Sequence, residues 1–530
     1  MTRISRTRTV DAAGLERLRT PRGDLVEERP DGPDRWTMVE GPFSRYERTL
    51  TVHDGPPAAA TGKNGSTDGT TPAAGAGLIT VTETTDYKLA LPIWWPYLWL
   101  PIRYALAAED RTPRRRVWWP KAVVPASISR LICYLGTIGA MAGYMGVLIG
   151  QTITFAADDF GIDDDVQANT LAAVRVGVLL SFVFLGRADR TGRKPLTIRF
   201  TAAAILFTAL GAFAPNIFAL GASQTIARGL VTGLLTLITL ASTEEVPASS
   251  RAIGISFMTL ATGFGSALMV WVLRLADLFE GAWRLAYLVP LLFLPLLWWI
   301  NQNLPETRRF VAAERTRAPA PINWWRFTLI GGAAFVSAIY LSPASQLRNE
   351  FLRGDLGFSA GDVSTFQLLI SLPATAAVPI GGAIADRYGR RWFGAGSLAV
   401  SAILGAISYQ TSGWVLWVTA AISLSAAAAS VPALRGYQTE LFPTRARGRV
   451  GGMIDVLAVS GSAVGLVIVG QLSVRWDDLG LAIGSMVFAP LLVAAAIVAF
   501  FPETANRELE HFNPKDPGLD APVRGQPGTP

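Results

Sequence analysis

Three charged side chains interrupt stretches of sequence that are otherwise apolar, and each needs a physical reason to be there. Arg228 lies midway along one run, within Gln224-x-x-x-Arg228-x-x-x-x-Gly233, while Arg175 breaks an earlier run and Asp455 a late one. If those runs cross a bilayer, a charge at their centre costs at least about 2.5–3.5 kcal/mol and requires a partner or a wet cavity. An arginine in such a place can hold an anionic or polyhydroxylated solute, or it can bond backbone carbonyls of its own bundle. Gln224 is one helical turn from Arg228 and shares its face. For Arg175, snorkelling to the outer interface is an equal explanation. Asp455 can carry a proton, or it can pair with the basic loop at 187–193. Tyr144 and Gln151 offer polar lining to a cavity, or bonds between helices.

The elements that must position these residues are long apolar helices. Of the 530 residues half are hydrophobic and only 16% charged, and residues 131–157, 200–227, 363–385 and 392–434 contain no charge at all. A helix of roughly 20 apolar residues spans the hydrocarbon core, and soluble helices do not stay apolar for this long. The last stretch is twice that length and carries Gln410-Thr411-Ser412-Gly413, so it reads as a hairpin of two helices. Twelve spans result, near 131–157, 168–187, 195–214, 217–243, 252–276, 283–304, 325–345, 363–385, 392–410, 413–434, 449–472 and 480–501.

The formal net charge of +7 does not indicate nucleic-acid binding, because the arginines and lysines sit mainly in alternate loops. Clusters precede span 1 and follow spans 2, 6, 8 and 10, whereas the opposite loops are acidic or short. By the positive-inside rule both termini are expected in the cytoplasm. One cysteine, Cys133, lies in an apolar run, and the two histidines lie outside the spans, which leaves no basis for a disulfide or a metal centre. The first 30 residues lack the apolar core of a cleavable signal peptide.

Two short charged loops repeat. Asp189-Arg190-Thr191-Gly192-Arg193-Lys194 and Asp386-Arg387-Tyr388-Gly389-Arg390-Arg391 are offset by 197 positions, 189 to 386, and each follows an apolar run. Pro305-Glu306-Thr307 recurs as Pro502-Glu503-Thr504 at the same offset, 306 to 503. Glu244-x-x-Pro247-x-x-x-Arg251 recurs as Glu440-x-x-Pro443-x-x-x-Arg447 at an offset of 196, 244 to 440. Three polar signatures in step mean a duplicated body. In each loop the aspartate can hold the basic residues after it and cap the following helix. The arginines can bridge to neighbouring spans, as gating ion pairs or as topology anchors only.

The second loop, with Gly382 four residues before Asp386, matches G-x-x-x-D-R-x-G-R-K/R and so resembles the signature of the major facilitator superfamily. Leu185 replaces the glycine in the first copy. The Pro-Glu-Thr segments, Arg507-Glu508-Leu509-Glu510 and Glu440-Leu441-Phe442-Pro443-Thr444 are similar to the sugar-porter and organic-solute branch. The resemblance covers about residues 128–510. It implies a mid-membrane substrate site between two six-helix halves and alternating access. It places Arg228 at a cavity-facing arginine of proton-coupled relatives. Gly143-Tyr144-Met145 resembles a G-Y-D segment of sugar porters and aromatic-acid symporters, but a thioether carries no proton. Gly139, Gly143, Gly146 and Gly150 read as a close-packing face.

The expected architecture is an all-α membrane protein of twelve transmembrane helices, arranged as two pseudo-symmetric six-helix bundles with a small N-terminal β-containing cytoplasmic extension. Its parts are 1–125, the extension; 126–310 and 324–510, the halves; 311–323, a linker; and 511–530, a disordered tail. Within the extension, 1–33 and 60–77 read as disordered, three Thr-, Val- and Trp-rich segments as a sheet, and 89–107 as an interfacial segment. The expected function is movement of a small polar or anionic solute across the plasma membrane, with proton coupling left open. Efflux of amphipathic compounds and a non-transporting sensor are the alternatives. No enzyme constellation and no cofactor is expected. The expected partners are the solute, protons and the lipid bilayer, without nucleic acid, around a monomer. Cavity residues are Arg228, Gln224, Gln151, Tyr144 and Arg175. Gate residues are Asp189, Arg190, Gly192, Arg193, Gly382, Asp386, Arg387, Gly389, Arg390, Asp455, Glu244, Arg251, Glu440 and Arg447.

Overall fold

The computed structural model describes residues 2–53, 79–107, 123–162, 166, 170, 173–174, 176–185, 192–307, 322–358, 360–444 and 446–513. The chain divides into two compact units, Met1–Cys133 and Tyr134–Pro530.

The first unit holds a five-stranded antiparallel sheet in the order β1-β5-β4-β3-β2. The strands are β1 (Thr2–Val10), β2 (Glu27–Pro30), β3 (Arg35–Glu40), β4 (Phe43–His53) and β5 (Ile79–Leu89), with helices α1 (Ala12–Arg19) and α2 (Trp95–Ala107). Residues 2–33 are therefore structured, against the expectation of disorder over 1–33, and supply β1, α1 and β2. Their few apolar residues alternate: Ile4 and Val10 point to one side of β1 while Ser5, Thr7 and Thr9 are exposed on the other. A strand at a sheet edge needs only that half-apolar pattern. Trp36, Leu50 and Val81 pack against Leu15 and Leu18 of α1 to form a small core. Asp11 starts α1 by accepting from the Gly14 amide at 2.7 Å.

Charge is buried inside this unit. Arg48 is fully enclosed and meets Glu28 at 2.7 Å. Tyr46 donates its hydroxyl to the same carboxylate at 2.6 Å. Arg22 pairs with Asp24 at 2.9 Å. Burial pushes the Asp24 carboxyl up, but the Arg22 guanidinium outweighs it and leaves the group below its ordinary value.

The second unit is helical, with α3 (Ala126–Phe160) leading into it. Then come α4 (Val178–Leu185), α5 (Arg193–Leu210), α6 (Ile217–Glu245), α7 (Arg251–Val272) and α8 (Arg284–Asn303). The second set is α9 (Trp324–Gln346), α10 (Ala360–Tyr388), α11 (Arg390–Ser408), α12 (Gly413–Glu440), α13 (Arg447–Trp476) and α14 (Leu479–Phe500). Among the described residues 11 helices are long and apolar enough to cross a membrane. The expected second span, 168–187, falls partly outside the described residues, and α4 lies within it. The expected hairpin is present, since α11 ends at Ser408 and α12 begins at Gly413, whose φ is +59°.

The repeat extends to packing. A Cβ on Gly143 would lie 1.9 Å from the Thr262 carbonyl oxygen, and one on Gly265 would lie 1.7 Å from that of Ala140. These positions bring α3 and α7 backbone to backbone. In the second half Gly461 and Gly465 do the same for α13 against α9, with Cβ positions 2.1 and 2.2 Å from the Phe335 and Ile339 oxygens. Gly139 belongs to the expected close-packing face, with Ile238 Cδ1 3.1 Å from its Cβ position. Gly150 does not, because nothing lies within 4 Å. Residues 511–513, expected in a disordered tail, are ordered: Asn513 donates to the Glu440 carbonyl at 3.1 Å.

Candidate functional site

The motif loops position their helices through the glutamates of the Pro-Glu-Thr segments. Glu306 accepts the amides of Arg193 at 3.0 Å and Lys194 at 3.1 Å, at the first turn of α5. Glu503 accepts the amides of Arg390 at 2.9 Å and Arg391 at 3.1 Å, at the first turn of α11. A carboxylate at a helix N-terminus satisfies open donors and the helix dipole together. Gly192 (φ +95°) and Gly389 (φ +108°) precede these helices in a conformation that glycine favours. A Cβ on Gly389 would also strike the Glu503 carboxylate at 2.7 Å.

Asp386 does not cap the helix after it, contrary to the expectation from the motif. It accepts the amides of Ala252 at 3.2 Å and Ile253 at 3.1 Å, at the start of α7 in the other half. The same carboxylate meets Arg390 at 2.8 Å. Close approach of α10 to α7 depends on Gly382, where a Cβ would lie 2.1 Å from Ser256 Oγ.

Two buried glutamates tie the halves crosswise. Glu244 of α6 receives Arg193 from its own half at 3.3 Å and Arg447 from the second half at 3.5 Å. Thr307 donates to its other oxygen at 2.9 Å. Glu440 of α12 pairs with Arg390 of its own half, and Arg251 of the first half stands at 4.0 Å. Arg251 also meets Glu508 at 3.0 Å. All six of Glu244, Glu440, Arg193, Arg251, Arg390 and Arg447 are buried. Arg387 is half-buried, 5.6 Å from the ring of Tyr388. Asp189 and Arg190 lie outside the described residues.

A cavity of 660 Å³ opens within the second half between α9, α12 and α13, with α11 and α14 behind it. Its wall is mostly apolar, and its polar groups include Ser337, Ser342, Ser345, Gln438, Arg435 and Asp455. Arg435 stands 3.6 Å from Asp455. Thr236 of α6 donates to the other Asp455 oxygen at 2.8 Å, so this carboxylate touches both halves. Asp455 was expected to carry a proton or to pair with the loop at 187–193, of which 187–191 lie outside the described residues. Among the described residues it faces Arg435 and Thr236, and Arg193 of that loop faces Glu244.

The five expected cavity residues all belong to the first half of the sequence, and among the described residues none of them lines this cavity. Arg228 donates to the Gly146 carbonyl at 2.5 Å. Gln224 is buried and turned to the Thr208 carbonyl at 3.4 Å. Tyr144 is fully enclosed, donates to the Ala286 carbonyl at 2.8 Å and packs edge-on to Phe293. Gln151 is exposed. Arg175 lies outside the described residues. Sequence reasoning passed over Arg435, although it directly ends the charge-free stretch 392–434 and sits five residues before Glu440.

Two sets of apolar helices, repeated in their caps, glycine contacts and crosswise ion pairs, with 11 membrane-length helices among the described residues, define a multi-pass membrane protein. Residues 330–524 match the Major Facilitator Superfamily, and the chain has the fold of that superfamily's solved transporters. The proton:xylose symporter XylE of E. coli superposes with a TM-score of 0.61 at 17% identity, over 74% of this chain and 99% of that one. The E. coli fucose:proton symporter FucP, in the outward conformation, gives 0.57 at 14% identity, over 71% and 98%. The human organic anion transporter MFSD10 gives 0.56 at 16%, over 69% and 99%. In sequence, a gallate transporter of Pseudomonas putida is 27% identical over 199 residues, 36% of this chain and 42% of the relative. A citrate-proton symporter of Klebsiella pneumoniae is 29% identical over 142 residues, 25% and 31%. The chain thus matches less than half the length of these curated relatives.

Proposed function

We propose that the protein is a secondary transporter that moves a small organic anion with an apolar body across the plasma membrane by alternating access, coupled to protons. The observation that carries this reading is the crosswise lock. Each of Glu244 and Glu440 faces one arginine from its own half and one from the other, so opening that end must break buried pairs on both sides of a pseudo-twofold axis. Such a contact set biases a two-state equilibrium. The arginine-rich end is the cytoplasmic one on this reading, with both termini on that side and the chain acting as a monomer.

The substrate class follows from the cavity. A largely apolar wall suits an aromatic or aliphatic body, and Arg435 supplies the cation for a carboxylate. A substrate carboxylate that takes Arg435 releases Asp455, which then gains a proton. Arg228, in the first half, is the second candidate cation. The names of the gallate and citrate relatives support an acid as cargo.

The apolar wall also supports a second reading, in which the same cavity exports amphipathic compounds. Labelled-solute counterflow in proteoliposomes, with gallate, citrate and xylose as probes, tests the proposal. Exchange of an acid, lost in Arg435→Ala, supports it. Binding without exchange would mark a sensor, and drug extrusion without acid exchange would mark an exporter. Arg228→Ala, compared in a thermal-shift screen of the same solutes, decides whether that side chain contacts the ligand.

A further inference from the structure

Helix α2 of the first unit has two faces of opposite character. Ile102, Ala105 and Leu106 are buried, whereas Trp95, Tyr97, Leu100 and Tyr104 are 56%, 60%, 65% and 67% exposed. Positions 97, 100 and 104 fall on one stripe at helical spacing. A water-soluble surface seldom carries so many large apolar side chains on one short helix. Trp and Tyr favour the headgroup level of a bilayer, where an aromatic body and a polar tip are both satisfied.

The helix is held rigidly. Arg22 donates to the Leu106 and Ala105 carbonyls at 2.9 and 3.2 Å, and Arg6 and Arg8 both reach the Ala107 carbonyl. Three guanidinium groups therefore close its C-terminal end against the sheet. At the other end, Trp94 donates its indole N–H to the Cys133 carbonyl of α3 at 3.1 Å. Cys133 is about two turns into α3, so this bond ties the start of α2 to the first turns of that helix within the same unit.

The turn between β5 and α2 is strained in a way that adds to the exposed face. Ile93 has φ +67°, and the Trp94 amide bonds the Pro92 carbonyl at 2.7 Å, closing a γ-turn. A β-branched residue in that region is an outlier that persists only where its surroundings impose it. Its effect is to bury Trp94 while leaving Ile93 exposed beside Trp95. Arg103, 5.3 Å from the Trp99 ring, carries an exposed guanidinium on the same helix.

We propose that the face formed by Ile93, Trp95, Tyr97, Leu100 and Tyr104 lies in the headgroup–acyl boundary of the bilayer, with Arg103 at the lipid phosphates. The first unit is then a membrane-docked domain, seated by an interfacial helix. The partner is lipid, because α3, to which the start of α2 is tied at Cys133, is long and apolar enough to cross a membrane, and because the exposed set combines Trp, Tyr, Leu and Arg in the manner of interfacial helices.

The test uses the full chain in liposomes of mixed neutral and anionic phospholipid. Cys133 is the chain's one cysteine and is buried, so single sites can be labelled without removing it. Spin labels are attached at Leu100→Cys and Tyr104→Cys, and at Thr82→Cys on the sheet as a control. The expected result is several-fold greater relaxation by oxygen than by a water-soluble nickel chelate at positions 100 and 104, and the reverse at 82. Nickel-dominated relaxation at 100 and 104 overturns the proposal, as does shielding from both agents. Formation of disulfide-linked dimers through position 100 in the membrane also overturns it, in favour of a second copy as the occupant. Leu100 and Tyr104 are exposed on the protein surface and Thr82 is half-buried, and retained gel-filtration behaviour confirms a folded sample for each.

Discussion

Asp386 accepts the Ala252 amide at 3.2 Å, so a side chain of α10 in the second half caps α7 of the first. The cap forms only when the two halves meet at this end, because donor and acceptor belong to different bundles. Replacing Asp386 with alanine removes a cap, which typically costs about 0.5–2 kcal/mol. The loss of the cap falls on the closed state alone, whereas the Arg390 pair removed with it lies within one half and weakens both states alike. The open population should rise about five- to thirtyfold for 1–2 kcal/mol. A thiol-reactive, membrane-impermeant probe at a cysteine placed on the closed face should report faster labelling in Asp386→Ala. Unchanged labelling with intact folding would show that Asp386 anchors topology and leaves the gate alone.

The glutamates of the lock carry a larger expectation. Removing one partner of a buried pair strands the other charge and costs about 3–5 kcal/mol. Glu244→Gln strands Arg193 and Arg447, and Glu440→Gln weakens the hold on Arg390 and Arg251. Both variants are expected to lower counterflow strongly while still binding solute, since neither lines the cavity. Loss of solute binding in both would place these residues in the substrate path and remove the gate reading.

Close packing gives a sharp contrast within one helix. Gly143→Ala puts a methyl 1.9 Å from the Thr262 oxygen and must move α7, whereas Gly150→Ala meets nothing within 4 Å. Overpacking typically costs about 1–3 kcal/mol. The melting temperature should fall in the first variant and hold in the second, where alanine also favours helix over glycine.

How far the sequence revealed this structure can be traced through single residues. The repeats at Glu306 and Glu503 were visible because their surroundings recur in step, and the structure gives them one shared role as helix caps. Which helix Asp386 would cap was not visible, because the motif says nothing about the contact between halves that brings Ala252 to it. Residues 2–10 read as disordered because arginine and threonine outnumber apolar residues, yet Ile4 and Val10 mark the inner face of an edge strand. The cavity was sought near Arg228, because a charge isolated in the middle of a run is conspicuous. Arg435 at the end of a run is not, and its proximity to Asp455 depends on how α12 and α13 pack.

In the first unit, acid should act through Asp24. Its folded value is depressed by the Arg22 guanidinium despite burial. A depressed carboxylate contributes stability that is complete above the unfolded value of about 3.9 and is lost as pH falls through the folded one. Hydrogen exchange in β1 to β5, corrected for the intrinsic rate, should therefore show weaker protection at about pH 3 than at about pH 6. Asp24→Asn should start weaker at the higher pH and change less between the two. Equal pH dependence in both proteins would assign the acid sensitivity to another group, with the pairs Asp34–Arg19 and Asp86–Arg3 next in line because their carboxyls are also lowered.

Under the proposed function, proton coupling turns on Asp455. Its carboxylate is held by Arg435 at 3.6 Å and by Thr236 of the opposite half at 2.8 Å, so it is the described acidic group that both lines the cavity and contacts both bundles. Asparagine keeps the shape and can still accept from Thr236, but it cannot carry a proton. Under the proposed mechanism Asp455→Asn should abolish uphill uptake driven by a pH gradient and yet retain exchange of internal for external solute, because exchange needs no net proton movement. Thr236→Val should keep gradient-driven uptake while changing its pH profile, since the carboxylate loses one hydrogen bond and keeps Arg435. Gradient-driven accumulation that survives in Asp455→Asn would move the proton site elsewhere and leave Asp455 as the counter-charge of Arg435.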